Sequence, residues 1–258
     1  RTVHLWHSDT GRHLHALGGH ASIVPCVSFS FDGALLATAC ADGTLRIFEV
    51  ATGLLHGAVE RAHAGADLSA GACDPTGRWL ATLCEEGAVV LRHPTTGSAT
   101  RRLTRRAREE GFLSQGALAW SADGELLASL GGRHEVVVHD VATGAEIFAA
   151  PAMATSALAF AKHTRWLAYG GSRIAVHDLT TSLGLRVYDE PCVTALAFDA
   201  QGRLACAHRS EPLRIVDPLR HVPPIVLGAD DLATAVQFSP DCTLVFGRTN
   251  GVTTRCDV

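Results

Sequence analysis

Cys26-Val27-Ser28-Phe29, followed by the turn Phe31-Asp32-Gly33, is one copy of a pattern that runs the length of the chain. Working outward, the same order of small, branched, small and aromatic residues returns at Ala117-Leu118-Ala119-Trp120, Ala157-Leu158-Ala159-Phe160, Ala195-Leu196-Ala197-Phe198 and Ala235-Val236-Gln237-Phe238. Turns follow these copies at Ala122-Asp123-Gly124, Lys162-His163-Thr164, Ala200-Gln201-Gly202 and Pro240-Asp241-Cys242. A weaker copy has Ala72-Cys73 and then Pro75-Thr76-Gly77. The anchors at 29, 73, 120, 160, 198 and 238 are 44, 47, 40, 38 and 40 residues apart, a period that belongs to repeat architectures.

A second anchor repeats in step with the first. It is a β-rich run at Val3–Trp6, Leu45–Glu49, Val89–Arg92, Val137–Asp140, Ala175–Asp178, Arg214–Asp217 and Thr254–Asp257. Thr10-Gly11, Thr52-Gly53, Thr96-Gly97, Thr143-Gly144 and Thr181-Ser182 follow it; glycine there supplies the positive φ of a hairpin turn. Each repeat therefore holds about four short strands, with no sustained helical period, and the fold class is all-β. The innermost strand, as in Ala157–Phe160, is apolar on both faces, which suits a strand sandwiched between neighbouring sheets. Four-stranded blades stacked around an axis meet that condition.

These residues resemble the WD-repeat (WD40) β-propeller family, over essentially the whole chain. The first full repeat is nearest the family pattern, with Gly19-His20, Asp32-Gly33, Thr38, Asp42-Gly43 and Phe48-Glu49. In that family a His, a strand Ser or Thr, a turn Asp and a Trp form a buried hydrogen-bonded tetrad. The resemblance implies His20, Thr38, Asp42 and Phe48 in that role here. Phe48 has no N–H, so the chain of bonds should stop at Thr38. The next repeat offers His63, Thr82 and Glu86, with Arg92 at the Trp position. Later repeats depart from the tetrad.

The strands of a blade are lettered a to d from the axis outward, with the aromatic anchor as a and the second anchor as c. The chain then holds seven c strands and six a strands. The expectation is a seven-bladed propeller of four-stranded antiparallel blades, incomplete at its N-terminal end. Its first blade has only c and d, and its last lacks d. The family's usual ring closure implies that roughly 25–35 further residues precede Arg1. The whole, 1–258, is expected as a single WD-repeat domain forming the C-terminal part of a longer chain. Its repeat intervals are 18–59, 60–103, 104–150, 151–188, 189–228 and 229–258.

Composition bounds the function. The chain has 258 residues, 47% hydrophobic and 19% charged, with a net charge of −4. That excludes a disordered chain, and the acidic balance argues against a general nucleic-acid binder. No apolar run is long enough to span a membrane as a helix. Lys162 is the one lysine among 22 basic residues, which together with abundant alanine suggests a GC-rich, bacterial genome. The 8 cysteines form no C-x-x-C pair and read as buried thiols of a reducing, cytoplasmic compartment. A Cys40–Cys84 disulfide, between equivalent repeat positions, is the alternative.

Candidate chemistry is sparse. Glu85-Glu86, Glu109-Glu110 and Asp230-Asp231 are neighbours along turns, which point apart, whereas acid–base catalysis needs carboxyls converging across a cleft. His13 and His15 read as surface residues sharing a strand face. His139 and His177 occupy matching positions in adjacent blades, too far apart for the three or four ligands of a zinc site. No nucleotide-binding, nucleophile-elbow or zinc-protease motif is present. No catalytic residue, metal or cofactor is therefore expected. Arg101, Arg102, Arg105, Arg106 and Arg108 form the densest charge in the chain. Their guanidinium forks suit carboxylate or phosphate groups, and in such propellers the loop they occupy opens on a rim where partners dock. Glu109 and Glu110 offset part of that charge.

The expected function is a non-catalytic scaffold for a protein or peptide, acidic or phosphorylated, with no nucleic-acid partner. It would serve as the interaction or regulatory module of a larger bacterial signalling protein with an N-terminal effector domain. Two alternatives stay open: a propeller hydrolase with a metal at the channel mouth, and a fragment without independent activity.

Overall fold

The computed structural model describes residues 1–64, 66–103, 116–131, 135–151, 156–171, 173–181, 183–189, 192–220, 222–227, 232–239, 243–248 and 252–257. All regular structure among them is β. The opening sheet has two strands, β1 (Val3–Trp6) and β2 (His13–Leu17). Four-stranded sheets follow. The first holds β3 (Cys26–Phe29), β4 (Leu35–Ala39), β5 (Leu45–Glu49) and β6 (Leu55–Val59). The second holds β7 (Leu68–Cys73), β8 (Leu80–Cys84), β9 (Val89–Arg92) and β10 (Ala99–Arg102). The third holds β11 (Leu118–Trp120), β12 (Leu126–Gly131), β13 (Glu135–Asp140) and β14 (Glu146–Pro151). The fourth holds β15 (Ala157–Phe160), β16 (Trp166–Gly170), β17 (Ile174–Asp178) and β18 (Leu183–Tyr188). The fifth holds β19 (Val193–Phe198), β20 (Leu204–His208), β21 (Leu213–Val216) and β22 (Ile225–Leu227). The last sheet has three strands, β23 (Ala233–Phe238), β24 (Leu244–Arg248) and β25 (Thr253–Cys256).

Strands pair in sequence order, antiparallel, so each sheet is a meander. The seven-bladed expectation is corrected here. The terminal sets of two and three strands are hydrogen-bonded separately, so neither is a four-stranded blade. The 25 described strands make five four-stranded sheets, with the expected two-strand set before them and three-strand set after, not seven blades of four.

Residues Arg1–Leu118, Gly131–Arg133 and His139–Ala145 form one compact unit; Ala119–Leu130, His134–Val138 and Glu146–Val258 form the other. In the first unit, Leu5 and Leu17 pack with Leu36 and Phe48. Ala37, Ala39 and Leu45 pack with Leu68 and Leu80. In the second unit, Ala157, Ala159, Ile174 and Val176 meet Val193, Leu196, Phe198 and Leu204. Ala197, Ala205 and Ile215 in turn meet Val236, Phe238 and Phe246. Small residues on one sheet against large ones on the next let sheets stack closely.

Burial is deepest in the middle strands of a blade. β8 and β20 are buried at every position, whereas the fourth strand β10 is exposed at every position. The inner strand β3 departs from the expectation that both its faces are covered. Cys26 and Ser28 face β7, through Cys26 Sγ to Gly71 O at 2.7 Å and Cys73 N to Ser28 Oγ at 2.9 Å. On the opposite face Val27 is 47% and Phe29 51% exposed. Alternation along the strand sends these two pairs to opposite sides.

The Asp-Gly turns form for a local reason. Asp32 Oδ1 accepts the Ser30 hydroxyl at 2.6 Å and the Ala34 N–H at 3.1 Å, and Gly33 takes φ +68°. The same arrangement recurs at Ser121, Asp123 and Gly124. Aspartate closes an Asx turn and glycine carries the left-handed residue.

Candidate binding site

The richest polar network lies in the sheet β7–β10. Thr82 on β8 is fully buried and Arg92, ending β9, is 2% exposed. Arg92 Nε donates to Thr82 Oγ1 at 2.8 Å, Nη1 donates to Gly97 O at 3.1 Å, and Nη2 donates to Ala62 O. His63 Nε2 stands 2.9 Å from the same Thr82 oxygen. A buried guanidinium thus rests on one hydroxyl and two carbonyls, and its two remaining N–H groups are left over. Burial, then the nearby Arg92 and Arg102 charges, pull His63 down to about 4. It is therefore neutral at physiological pH and can serve Thr82 as an acceptor.

A cavity of about 380 Å³ opens beside this network, lined among others by His63, Cys84, Glu86, Arg92, Arg101 and Arg102. Its walls come from the loop before β7, the turn after β8 and the outer strand β10. Three arginines and one glutamate are among the lining residues, so the lining carries net positive charge.

The first repeat is arranged differently. His20 and Thr38 are buried, with Thr38 Oγ1 3.4 Å from His20 Nε2. The Thr38 hydroxyl donates to Arg46 O at 3.4 Å, and Phe48 meets the His20 ring edge-on, centroids 5.9 Å apart. Asp42 does not reach His20. It accepts Ala21 N–H at 3.2 Å and Thr44 N–H at 2.8 Å and pairs with Arg46 at 3.8 Å. Arg46 Nη1 instead occupies the other His20 nitrogen at 3.3 Å. Burial acts to raise Asp42, but the hydrogen bonds from Thr44 and Ala21 outweigh it and bring the carboxyl to about 2.

Of the expected arginine cluster, Arg105, Arg106 and Arg108 lie outside the described residues. Arg101 is not the free partner-binding group that the charge run suggests. Its guanidinium is spent on the turn after β13, donating to Val141 O, Ala142 O and Thr143 O at 2.7–2.9 Å. Arg102 lines the cavity on the exposed β10. The alternative Cys40–Cys84 disulfide is absent; both thiols are free. His13 stands against His4, whereas His15 Nε2 is 3.2 Å from Ala51 O, so the two do not form one site. His177 stacks on Tyr169 with its Nε2 3.1 Å from the phenol oxygen, and His139 is buried. Among the described residues no group of three or more metal-ligating side chains converges. Sequence reasoning placed Arg92 at the aromatic position without giving it a role. The signal was a charged residue ending the apolar run Val89-Val90-Leu91.

Residues 11–49 match the family described as WD domain, G-beta repeat. Apoptotic protease-activating factor 1 of Homo sapiens is 37% identical over 84 residues, 33% of this chain and 6% of that protein. Periodic tryptophan protein 2 homolog of Schizosaccharomyces pombe is 28% identical over 157 residues, 55% of this chain and 18% of that protein. These matches span only small fractions of the relatives' length. A chain of the solved structure "Crystal Structure of Mitotic Checkpoint Complex" shares the fold with a TM-score of 0.84 at 20% identity, covering 100% of this chain and 82% of that one. The fold is an all-β propeller type built of four-stranded antiparallel blades.

Proposed function

We propose that the whole chain is a WD40-type, non-catalytic interaction scaffold that takes an acidic or phosphorylated segment of a protein partner at the cavity beside Arg92 and Arg102. On this reading it is the cytoplasmic binding module of a larger bacterial signalling protein. The matched repeat at 11–49 and the shared fold support the scaffold class. The arginine-over-lysine composition supports the bacterial source.

The observation that carries the ligand class is the buried Arg92 cation, held by neutral oxygens and opening on a cavity that Arg102 also lines. A guanidinium removed from water without a carboxylate is costly, and an incoming anion offsets that cost. Glu86 on the cavity wall competes with the ligand, which favours a phosphoryl dianion over a single carboxylate.

Fluorescence anisotropy with peptides carrying phosphoserine, glutamate or serine at one position tests the site. The expected order of affinity is phosphoserine, glutamate, serine. Arg102→Gln should weaken phosphopeptide binding about tenfold and Glu86→Gln should strengthen it. Equal binding of all three peptides, or indifference to Arg102→Gln, overturns the assignment.

A further inference from the structure

We propose that His4 and His13 form a clamp for one divalent transition-metal ion, of the Zn²⁺, Cu²⁺ or Ni²⁺ class, across the two-stranded sheet β1–β2. His4 Nδ1 and His13 Nε2 are 3.1 Å apart, with ring centroids at 5.3 Å. Trp6 holds the pair in place. It lies two residues after His4, on the same strand face, and its Cα register partner is His13. The two rings meet edge to face, centroids 4.8 Å apart and 74° between planes.

The spacing suits chelation. Two imidazole nitrogens, each about 2.0–2.1 Å from one ion, stand about 2.9 Å apart at a right angle and about 3.4 Å apart at the tetrahedral angle. The observed separation falls between these. Both rings are exposed, so small side-chain rotations aim the two lone pairs at one ion without repacking a core. A hydrogen bond between the rings fits the same distance, but an exposed hydrogen bond adds little. Among the described residues no third ligand completes the site. Water, or a side chain of a docked protein, fills the remaining positions, and the ion stays exchangeable.

The clamp has a structural consequence. A two-stranded sheet is marginal by itself, and within β1–β2 only Leu5 and Leu17 are buried. An ion held by one ligand from each strand binds only the paired form and so stabilises it by mass action. The turn that joins the strands, around Thr10-Gly11, is the point where that gain would be felt first.

Calorimetric titration of the chelator-treated full chain with ZnCl₂ alone tests this. One saturable equivalent is expected, weakened at least about tenfold in both His4→Gln and His13→Gln. His163→Gln, in the connection between β15 and β16, should leave it unchanged. CuCl₂ should quench a fluorescence component that Trp6→Phe removes, with Zn²⁺ binding retained. Zn²⁺ should also slow proteolytic nicking at Thr10-Gly11 in the wild type and not in the two histidine variants. The absence of saturable binding, or binding that survives both substitutions, overturns the clamp and leaves a histidine–histidine hydrogen bond. Neither result bears on the peptide site, whose residues lie on other strands.

Discussion

Arg92 occupies a niche where the repeat pattern calls for an aromatic ring, and it fills that niche with hydrogen bonds in place of π surface. The substitution works because Ala62 O, Gly97 O and Thr82 Oγ1 are already aimed inward. It also sets the state of His63, which burial and two guanidinium neighbours hold at about 4 against an ordinary 6.5. Folding therefore favours the neutral ring. Above pH 6.5 neither state binds the proton and the stability is fully present. As pH falls from about 6.5 toward 4 the unfolded chain protonates first, so stability declines by up to about 3 kcal/mol. Below that window the folded ring protonates too and the loss stops growing. Urea unfolding at several pH values between 7.5 and 4 measures the slope, and His63→Gln is expected to flatten it. Asp42, held near 2, contributes a loss only at still lower pH. The position of His63 was legible in the sequence; its neutrality was not, because it depends on charges brought close from β9 and β10.

At the scale of elements, the turns are where local sequence and neighbour packing meet. Gly33 and Gly97 share nearly the same left-handed backbone, φ +68° and +69°, and look alike in sequence. Their surroundings differ. A Cβ on Gly33 meets nothing within 4 Å, whereas one on Gly97 stands 2.7 Å from Val59 Cγ2 of the preceding blade. Gly33→Ala should therefore cost only the conformational penalty, about 1 kcal/mol. Gly97→Ala should cost more, about 2–3 kcal/mol, as the Val59 side chain is displaced. Denaturation midpoints of the two variants decide the matter; equal losses would show that Val59 yields freely. Arg101 makes the same point. Its place in a run of arginines suggested a free docking group, and only the neighbouring turn at 141–143 reveals that three carbonyls already hold it.

For the molecule as a whole, stability should follow the burial gradient across the strands. Leu204→Ala, at a position with no exposed surface, is expected to cost about 2–5 kcal/mol. Phe29→Ser, at 51% exposure, should cost under about 1 kcal/mol despite removing the larger side chain. Chemical denaturation of the pair checks this, and a Phe29 loss equal to that at Leu204 would mean β3 is covered in solution. Strand identity, strand order and the two-strand and three-strand ends were readable from the amino-acid order alone. Short antiparallel meanders are specified by alternation and turn residues only a few positions apart. Blade number, the exposed face of β3, the occupation of Arg101 and the pairing of His4 with His13 were decided by tertiary structure. Each depends on which residues meet across strands or between sheets, often about 40 positions apart, and the linear pattern carries no record of those meetings.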